Sequence, residues 1–248
     1  MKKKSDNQKS KNHKTKDNTI IELKDVWKTY KLGTLSLDVL RGINIKIKKG
    51  EFVAIVGPSG SGKSTLMNQV GVLDIPTKGQ VLLDGHDISK YSESELAQIR
   101  GKKIGFIFQQ FNLIQTLTAL ENVILPTIFE NVEEETRTKR AKKLLINVGL
   151  SDRMNHKPSE LSGGQQQRVA ISRALINDPE IILADEPTGN LDSSSGEQIM
   201  NELSELHSKE GKTIILVTHD NELIHYADRV IHVKDGQVLK EISKKKNV

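Results

Sequence analysis

The sequence predicts an α/β module: a core of buried strands and helices, a β subdomain ahead of it and a helical subdomain set within it. Three observations carry this expectation. Apolar runs of strand length recur at Phe52-Val53-Ala54-Ile55-Val56, at Ile181-Ile182-Leu183-Ala184 and from Thr213 to Thr218. The first runs straight into Gly57-Pro58-Ser59-Gly60-Ser61-Gly62-Lys63-Ser64-Thr65, a turn of the form G-x-x-x-x-G-K-[ST] that joins a strand to a helix. From about Leu113 to Gly149 the apolar residues change to helical spacing.

Ordered sequence begins near Ile20. Ile20-Ile21-Glu22-Leu23 and Ile43-Asn44-Ile45-Lys46-Ile47 alternate with the period of two of half-exposed strands, which sets an antiparallel β layer ahead of the glycine-rich turn. After that turn a helix runs from about Lys63 to Leu73, and a short Val81-Leu82-Leu83 strand follows with Asp84-Gly85 as its turn. Ser92 and Glu95 have capping-box spacing and open a short helix, and Ile104-Gly105-Phe106-Ile107-Phe108 is the next strand. In the helical subdomain, about residues 88–165, Ala141, Leu144, Leu145 and Val148 share one face with Lys and Arg opposite, and Gly149 is the stop. A helix follows Gly164, then the Ile181 strand, a helix from about Ser194 to Lys209, and the Thr213 strand. A last strand, Arg229 to Val233, and the Asp235-Gly236 turn close a domain expected over residues 20–241.

Composition narrows the function classes. The 248 residues, 35% of them hydrophobic, suffice for a substantial core. No apolar stretch reaches the roughly 18 to 20 residues that cross a bilayer. The lysine-rich N-terminus is not followed by the apolar segment of a secretory signal, so neither membrane spanning nor export is expected. The absence of cysteine excludes disulfides and thiolate metal sites. Residues 1–18 hold seven Lys against Asp6 and Asp17, which accounts for the whole formal charge of +5. They read as a disordered tail, either a solvated extension or a contact for anionic lipid at about 1 kcal/mol per lysine. Lys244-Lys245-Lys246 could act in the same way. A nucleic-acid enzyme would spread its basic residues over the folded face, so no nucleic-acid partner is expected.

The turn from Gly57 to Thr65 is a phosphate-binding loop. Its glycines let successive N–H groups point inward at phosphate oxygens, the following helix adds its positive end, Lys63 reaches the outer phosphates and the Ser64 hydroxyl can ligate Mg²⁺. The strand Ile181 to Ala184 ends in Asp185-Glu186. Successive strand-end side chains point differently, so one carboxylate can orient Mg²⁺ while the next faces the attacking water as general base. A second anion-suited turn is Leu161-Ser162-Gly163-Gly164-Gln165, which leads into the helix Gln166-Gln167-Arg168-Val169-Ala170 with free N–H groups at its start.

With these three motifs in this order, the chain from about Ile20 to Leu239 resembles the ATP-binding cassette (ABC) transporter family of ATPases. The resemblance implies a P-loop NTPase core, ATP and Mg²⁺ as ligands, and ATP hydrolysis. It implies that Ser162, Gly163, Gly164 and Gln165 of one subunit cover the ATP held by the phosphate loop of a second, in a homodimer. Further positions match the family one by one. Gln109 matches the glutamine that joins the metal and water shell, His219 the histidine that contacts the terminal phosphate, Asp192 the loop that crosses the dimer interface, and Tyr30 the aromatic that stacks on adenine. The catalytic set implied is Glu186, His219, Gln109 and Lys63, with Ser64, Gln109 and Asp185 on the metal.

Asp185 to Asp192, Phe108 to Leu113 and Leu161 to Arg168 look like the subgroup that serves macrolide export, lipoprotein release and antimicrobial-peptide resistance. That resemblance implies a separate integral membrane permease subunit with a large extracytoplasmic domain, and a peripheral place on the inner face of the cell membrane. Phe111 to Phe129 is the segment expected to couple to it. Soluble cassette proteins of chromosomes, DNA repair or ribosomes usually insert a coiled coil or zinc module between the motifs, or carry two cassettes, and this chain does neither.

Overall fold

In the computed structural model, which describes residues 18–128, 130 and 132–244, the chain opens with β1 (Thr19–Leu32), β2 (Leu35–Lys48), β3 (Phe52–Val56) and α1 (Lys63–Val70). It continues through β4 (Lys78–Leu83), β5 (His86–Asp87), α2 (Glu93–Lys103), β6 (Ile104–Phe108), α3 (Ala119–Ile124) and α4 (Glu134–Asn147). It ends with α5 (Gly163–Leu175), β7 (Ile181–Asp185), α6 (Ser193–Glu210), β8 (Thr213–Thr218), β9 (Arg229–Lys234) and β10 (Gln237–Ser243).

Two sheets result. One has the order β2-β1-β4-β5 and is antiparallel. The other has the order β10-β9-β3-β8-β7-β6, parallel throughout except for β10. β3 and β8 are buried along their whole length because both faces of this sheet are covered. Alternate residues of β3 serve different cores. Val53 and Ile55 face Leu66, Met67 and Val70 of α1 and the β layer, whereas Phe52, Ala54 and Val56 pack with Ile171 of α5 and Ile199, Met200 and Leu203 of α6. A third cluster joins Leu113, Val123, Ala141, Leu145 and Leu161 to Val169 and Ala170, so α5 belongs to both the helical region and the sheet.

Several local expectations change. Ile20 and Ile21 are both buried, against the alternation expected there, because a bulge between Thr19 and Ile21 turns consecutive residues inward. α1 stops at Val70, where the Gly71 N–H bonds back to Met67 O (2.7 Å) and Val72 takes a φ of +57°. The stretch from Leu113 to Gly149 is not one helical run. Pro126 lies in a single 3₁₀ turn, Leu125–Thr127, between α3 and α4, and Thr118 caps α3 in a box with Glu121. The chain does not close at Val233 and its turn, because β10 follows and pairs with β9 at the sheet edge. Arg229 helps to hold β10 by bonding both Glu51 (2.7 Å) and Glu241 (2.6 Å).

Asn18, the last residue of the expected tail, accepts the Lys49 N–H through its carbonyl (2.8 Å). Residues 1–17, Lys245 and Lys246 lie outside the described residues, as do the expectations placed on them.

Candidate functional site

Strand register assembles the site. Val56 of β3 pairs with Thr218 of β8, Val217 with Asp185 of β7, and Asp185 with Phe108 of β6. The residues that follow these strand ends are Gly57, His219, Glu186 and Gln109. Four parallel strands therefore deliver the phosphate loop, the histidine, the acidic pair and the glutamine to one edge, the carboxyl end of the sheet, where α/β proteins hold their ligands.

The loop has the geometry of an anion cradle. Gly60 (φ +76°) and Gly62 (φ +99°) take left-handed conformations that a side chain would resist. At Gly57 a Cβ would run into the Val233 carbonyl oxygen and lie 2.8 Å from Ser61 Oγ, so only glycine fits between the loop and β9. α2, α3, α5 and α6 each have a side chain bonded to their first-turn N–H groups. α1 has no such cap and no acidic residue in its first turn, which leaves its N-terminal donors and positive end for a ligand. Lys63 Nζ is held by the carbonyls of Gly57 (2.8 Å) and Pro58 (3.0 Å), folded back over the loop it would serve.

The acidic pair splits by environment. Burial, and next the charge of Glu186, push the Asp185 carboxyl above its ordinary range, while Lys63 pulls it down. Glu186 sits at φ +45°, an uncommon conformation for a non-glycine residue, with its N–H on Val217 O (2.8 Å). Its Oε2 accepts from Thr218 Oγ1 (2.9 Å), and its Oε1 accepts the His219 N–H (2.9 Å) and lies 2.7 Å from His219 Nδ1. Motif reading did not single out Thr218, because a threonine ending a buried strand has no distinguishing spacing. Gln109 packs against Gly189, where a Cβ would lie 2.6 Å from its Nε2, and its carbonyl accepts from Asn190 Nδ2 (2.8 Å).

The second anion-suited turn belongs to a separate group. Ser162 caps α5 by accepting the Gln165 N–H (3.3 Å), and the Gln165 Oε1 accepts the Ser162 N–H in return (2.9 Å). Gly163 backs onto Leu191 and Asn190, and Gly164 onto Ser195. Asp192 caps α6 by accepting the Ser195 N–H (2.9 Å), and the bonds at Ser195 hold its carboxyl below the ordinary range. Tyr30 stands apart from both groups, with its hydroxyl on Asp74 (3.3 Å) and Lys28 Nζ 5.3 Å from its ring centre.

The donor set fits a small hard cation. Ser64, Gln109 and Asp185 offer oxygen ligands, and the Asp185 carboxylate, disfavoured by burial beside Glu186, gains from a nearby positive charge. Among the described residues no group of three or more His, Cys, Asp or Glu side chains converges. Oxygen donors of this kind suit Mg²⁺, which is commonly bound by one or two carboxylates together with phosphate oxygens.

A phosphate loop at the carboxyl edge of a parallel sheet, with an acidic pair at the end of the next strand but one, defines a P-loop NTPase. Residues 40–189 match the ABC transporter family, and the chain belongs to it. An uncharacterized ABC transporter ATP-binding protein of Methanocaldococcus jannaschii is 57% identical over 225 residues, covering 91% of this chain and all of that one. The macrolide export ATP-binding/permease protein MacB of Brucella melitensis is 53% identical over 91% of this chain, which spans only 35% of that longer protein. Among solved structures, the dimeric post-hydrolysis state of the ATP-binding cassette MJ0796 bound to ADP and Pi superposes with a TM-score of 0.84. That match has 52% identity and covers 90% of this chain and 98% of that one.

Proposed function

We propose that this chain is the ATP-hydrolysing subunit of an ABC transporter, which dimerises around two ATP molecules and thereby moves a separate membrane permease. The observation that supports the reading is the register row Val56–Thr218 and Val217–Asp185–Phe108, which brings Gly57, His219, Glu186 and Gln109 to one sheet edge. Lys63 and the free N–H groups at the start of α1 offset phosphate charge. Ser64, Gln109 and Asp185 hold Mg²⁺, which when bound neutralises charge developing on the phosphates. Glu186 orients and deprotonates water, His219 contacts the terminal phosphate, and Tyr30 stacks on adenine.

The turn Ser162 to Gln165 packs on the segment 190–195 of its own chain and serves the phosphate loop of a second copy. Asp192 lies at that junction. The dimeric state of the MJ0796 cassette supports this arrangement.

The permease is a separate chain with a large extracytoplasmic domain, and this subunit sits beneath it on the inner face of the membrane. MacB, named as both ATP-binding and permease protein, supports the pairing, since this chain matches about a third of it. Docking involves the segment Phe111 to Phe129, of which Phe129 lies outside the described residues. A cavity of 410 Å³ lined by Leu73, Phe106, Phe108, Asn112, Pro126 and Arg173 opens beside it, one residue from Gln109.

The test is phosphate release by the purified chain. Turnover is expected only with Mg²⁺, and an ATP-dependent dimer should sediment when hydrolysis is blocked. A chain that binds ATP and Mg²⁺ but releases no phosphate overturns the reading.

A further inference from the structure

Gln167 lies fully buried in α5, and its Nε2 donates to the carbonyl oxygen of Pro187 at 2.7 Å. Its Oε1 is also buried and has no hydrogen-bond partner. An orphaned buried acceptor is unfavourable compared with an apolar side chain of the same shape, so packing gives no reason for glutamine at this place. The amide's distinctive contribution is its grip on one carbonyl.

That carbonyl belongs to the turn that presents Glu186. The φ of +45° at Glu186 is held by its surroundings, because a non-glycine residue otherwise leaves the left-handed region. Two backbone bonds fix the turn, Glu186 N–H to Val217 O of β8 (2.8 Å) and, within the turn, Gly189 N–H to Glu186 O (3.0 Å). Gln167 supplies a third from the opposite side, out of α5. Gly163, Gly164 and Gln167 share one helix face by their spacing of three and four. That face lies against Asn190, Leu191 and Ser195 as well as Pro187. α5 is clamped behind this face, with Val169 and Ala170 in the helical cluster and Ile171 and Ala174 in the sheet cluster. A displacement of its first turn therefore moves Gln167 with it.

We infer that Gln167 is a positioning residue that ties the orientation of Glu186 to the state of the Ser162–Gln165 turn in the same chain. Resting on the dimeric ATPase reading above, this makes each chain a relay between the two nucleotides. Closure of the turn over the partner's ATP is transmitted through Gln167 and Pro187 to the base that acts on the chain's own ATP. The two sites then fire cooperatively without direct contact between their phosphates.

Two variants of the full chain test this. Gln167→Met keeps length and volume but removes both the donor and the orphaned acceptor, two changes that oppose each other in stability. The expected result is a Tm close to the parent's, unchanged ATP affinity of the monomer, a kcat lower by about tenfold or more for a displaced base, and a Hill coefficient that falls toward one. Gln167→Glu can donate to Pro187 only when protonated, and burial raises a carboxyl pKa. Its kcat relative to the parent should climb as pH falls from about 8 to about 6. The same ratio for Gln167→Met should stay flat.

A Gln167→Met variant with parental kcat and cooperativity overturns the inference. So does a loss of kcat matched by a loss of Tm, or a Gln167→Glu ratio that ignores pH. If the parent itself releases no phosphate, the ATPase reading fails and takes the relay with it. A parent that turns over beside an equally active Gln167→Met variant defeats the relay alone.

Discussion

Replacing Glu186 by Gln separates folding from chemistry at this site, and the structure sets the size of each effect. The carboxylate accepts from Thr218 Oγ1 (2.9 Å) and from the His219 N–H (2.9 Å), and its side chain is 16% exposed. An amide can keep its oxygen toward the His219 N–H and turn its NH₂ toward Thr218 Oγ1, an oxygen with lone pairs to accept it. The folding free energy should therefore change by no more than about 1 kcal/mol, the worth of one hydrogen bond. The chemistry is not preserved in this way. An amide cannot take a proton from water at neutral pH, and a positioned general base contributes about 10² to 10⁴ in rate, or roughly 3 to 5 kcal/mol of barrier. Phosphate release at saturating ATP, urea unfolding and sedimentation with ATP form the assay. The expected variant is folded, dimeric with ATP and nearly inert. Parental turnover would refute the assignment of the base, and a monomer at saturating ATP would refute the shared site.

Gly57→Ala should abolish measurable ATP binding, because its Cβ meets the Val233 carbonyl and Ser61 Oγ and the loop must open; titration with a fluorescent ATP analogue checks this, and parental affinity would contradict it. Ser162→Ala removes the cap of α5 and should cost about 1 kcal/mol in urea unfolding. If Ser162 also meets the partner's ATP, turnover at full saturation falls by more than that loss explains. Asp185 yields a pH prediction. Its folded carboxyl is raised above the ordinary value, so it opposes folding at pH above its folded pKa, and that opposition fades as pH falls through it. Asp185→Asn should therefore raise Tm at neutral pH, with the gain shrinking toward acid, while Mg²⁺-dependent turnover is lost.

Much of the fold was legible along the chain wherever a short segment decides its own structure. The capping box of Ser92 and Glu95 forms as its spacing implies, with the Ser92 N–H on Glu95 (2.7 Å). The apolar runs at Phe52, Ile104, Ile181 and Thr213 are strands, because a fully apolar run of five or six residues has nowhere to go but a sheet covered on both faces. Elements whose identity depends on a neighbour were not legible. β10 is exposed at every residue but Val238, which packs against the core, so its pairing with β9 is what makes it a strand. The bulge that buries both Ile20 and Ile21 is likewise set by the partner strand.

The candidate site divides along the same line. By itself the sequence determined the phosphate loop from Gly57 to Thr65, the acidic pair at Asp185-Glu186 and the turn at Ser162 to Gln165, since each is a contiguous pattern whose backbone demands select its residues. Only the tertiary structure decided that Gly57, Gln109, Glu186 and His219 share one sheet edge, because that depends on the order and register of four strands scattered over the chain. It alone decided the partners of Glu186 and the bond from Gln167 to Pro187, which spans twenty residues. Hydrogen bonds between side chains and distant backbone leave no period in a sequence; they exist only once the core has brought the segments into contact.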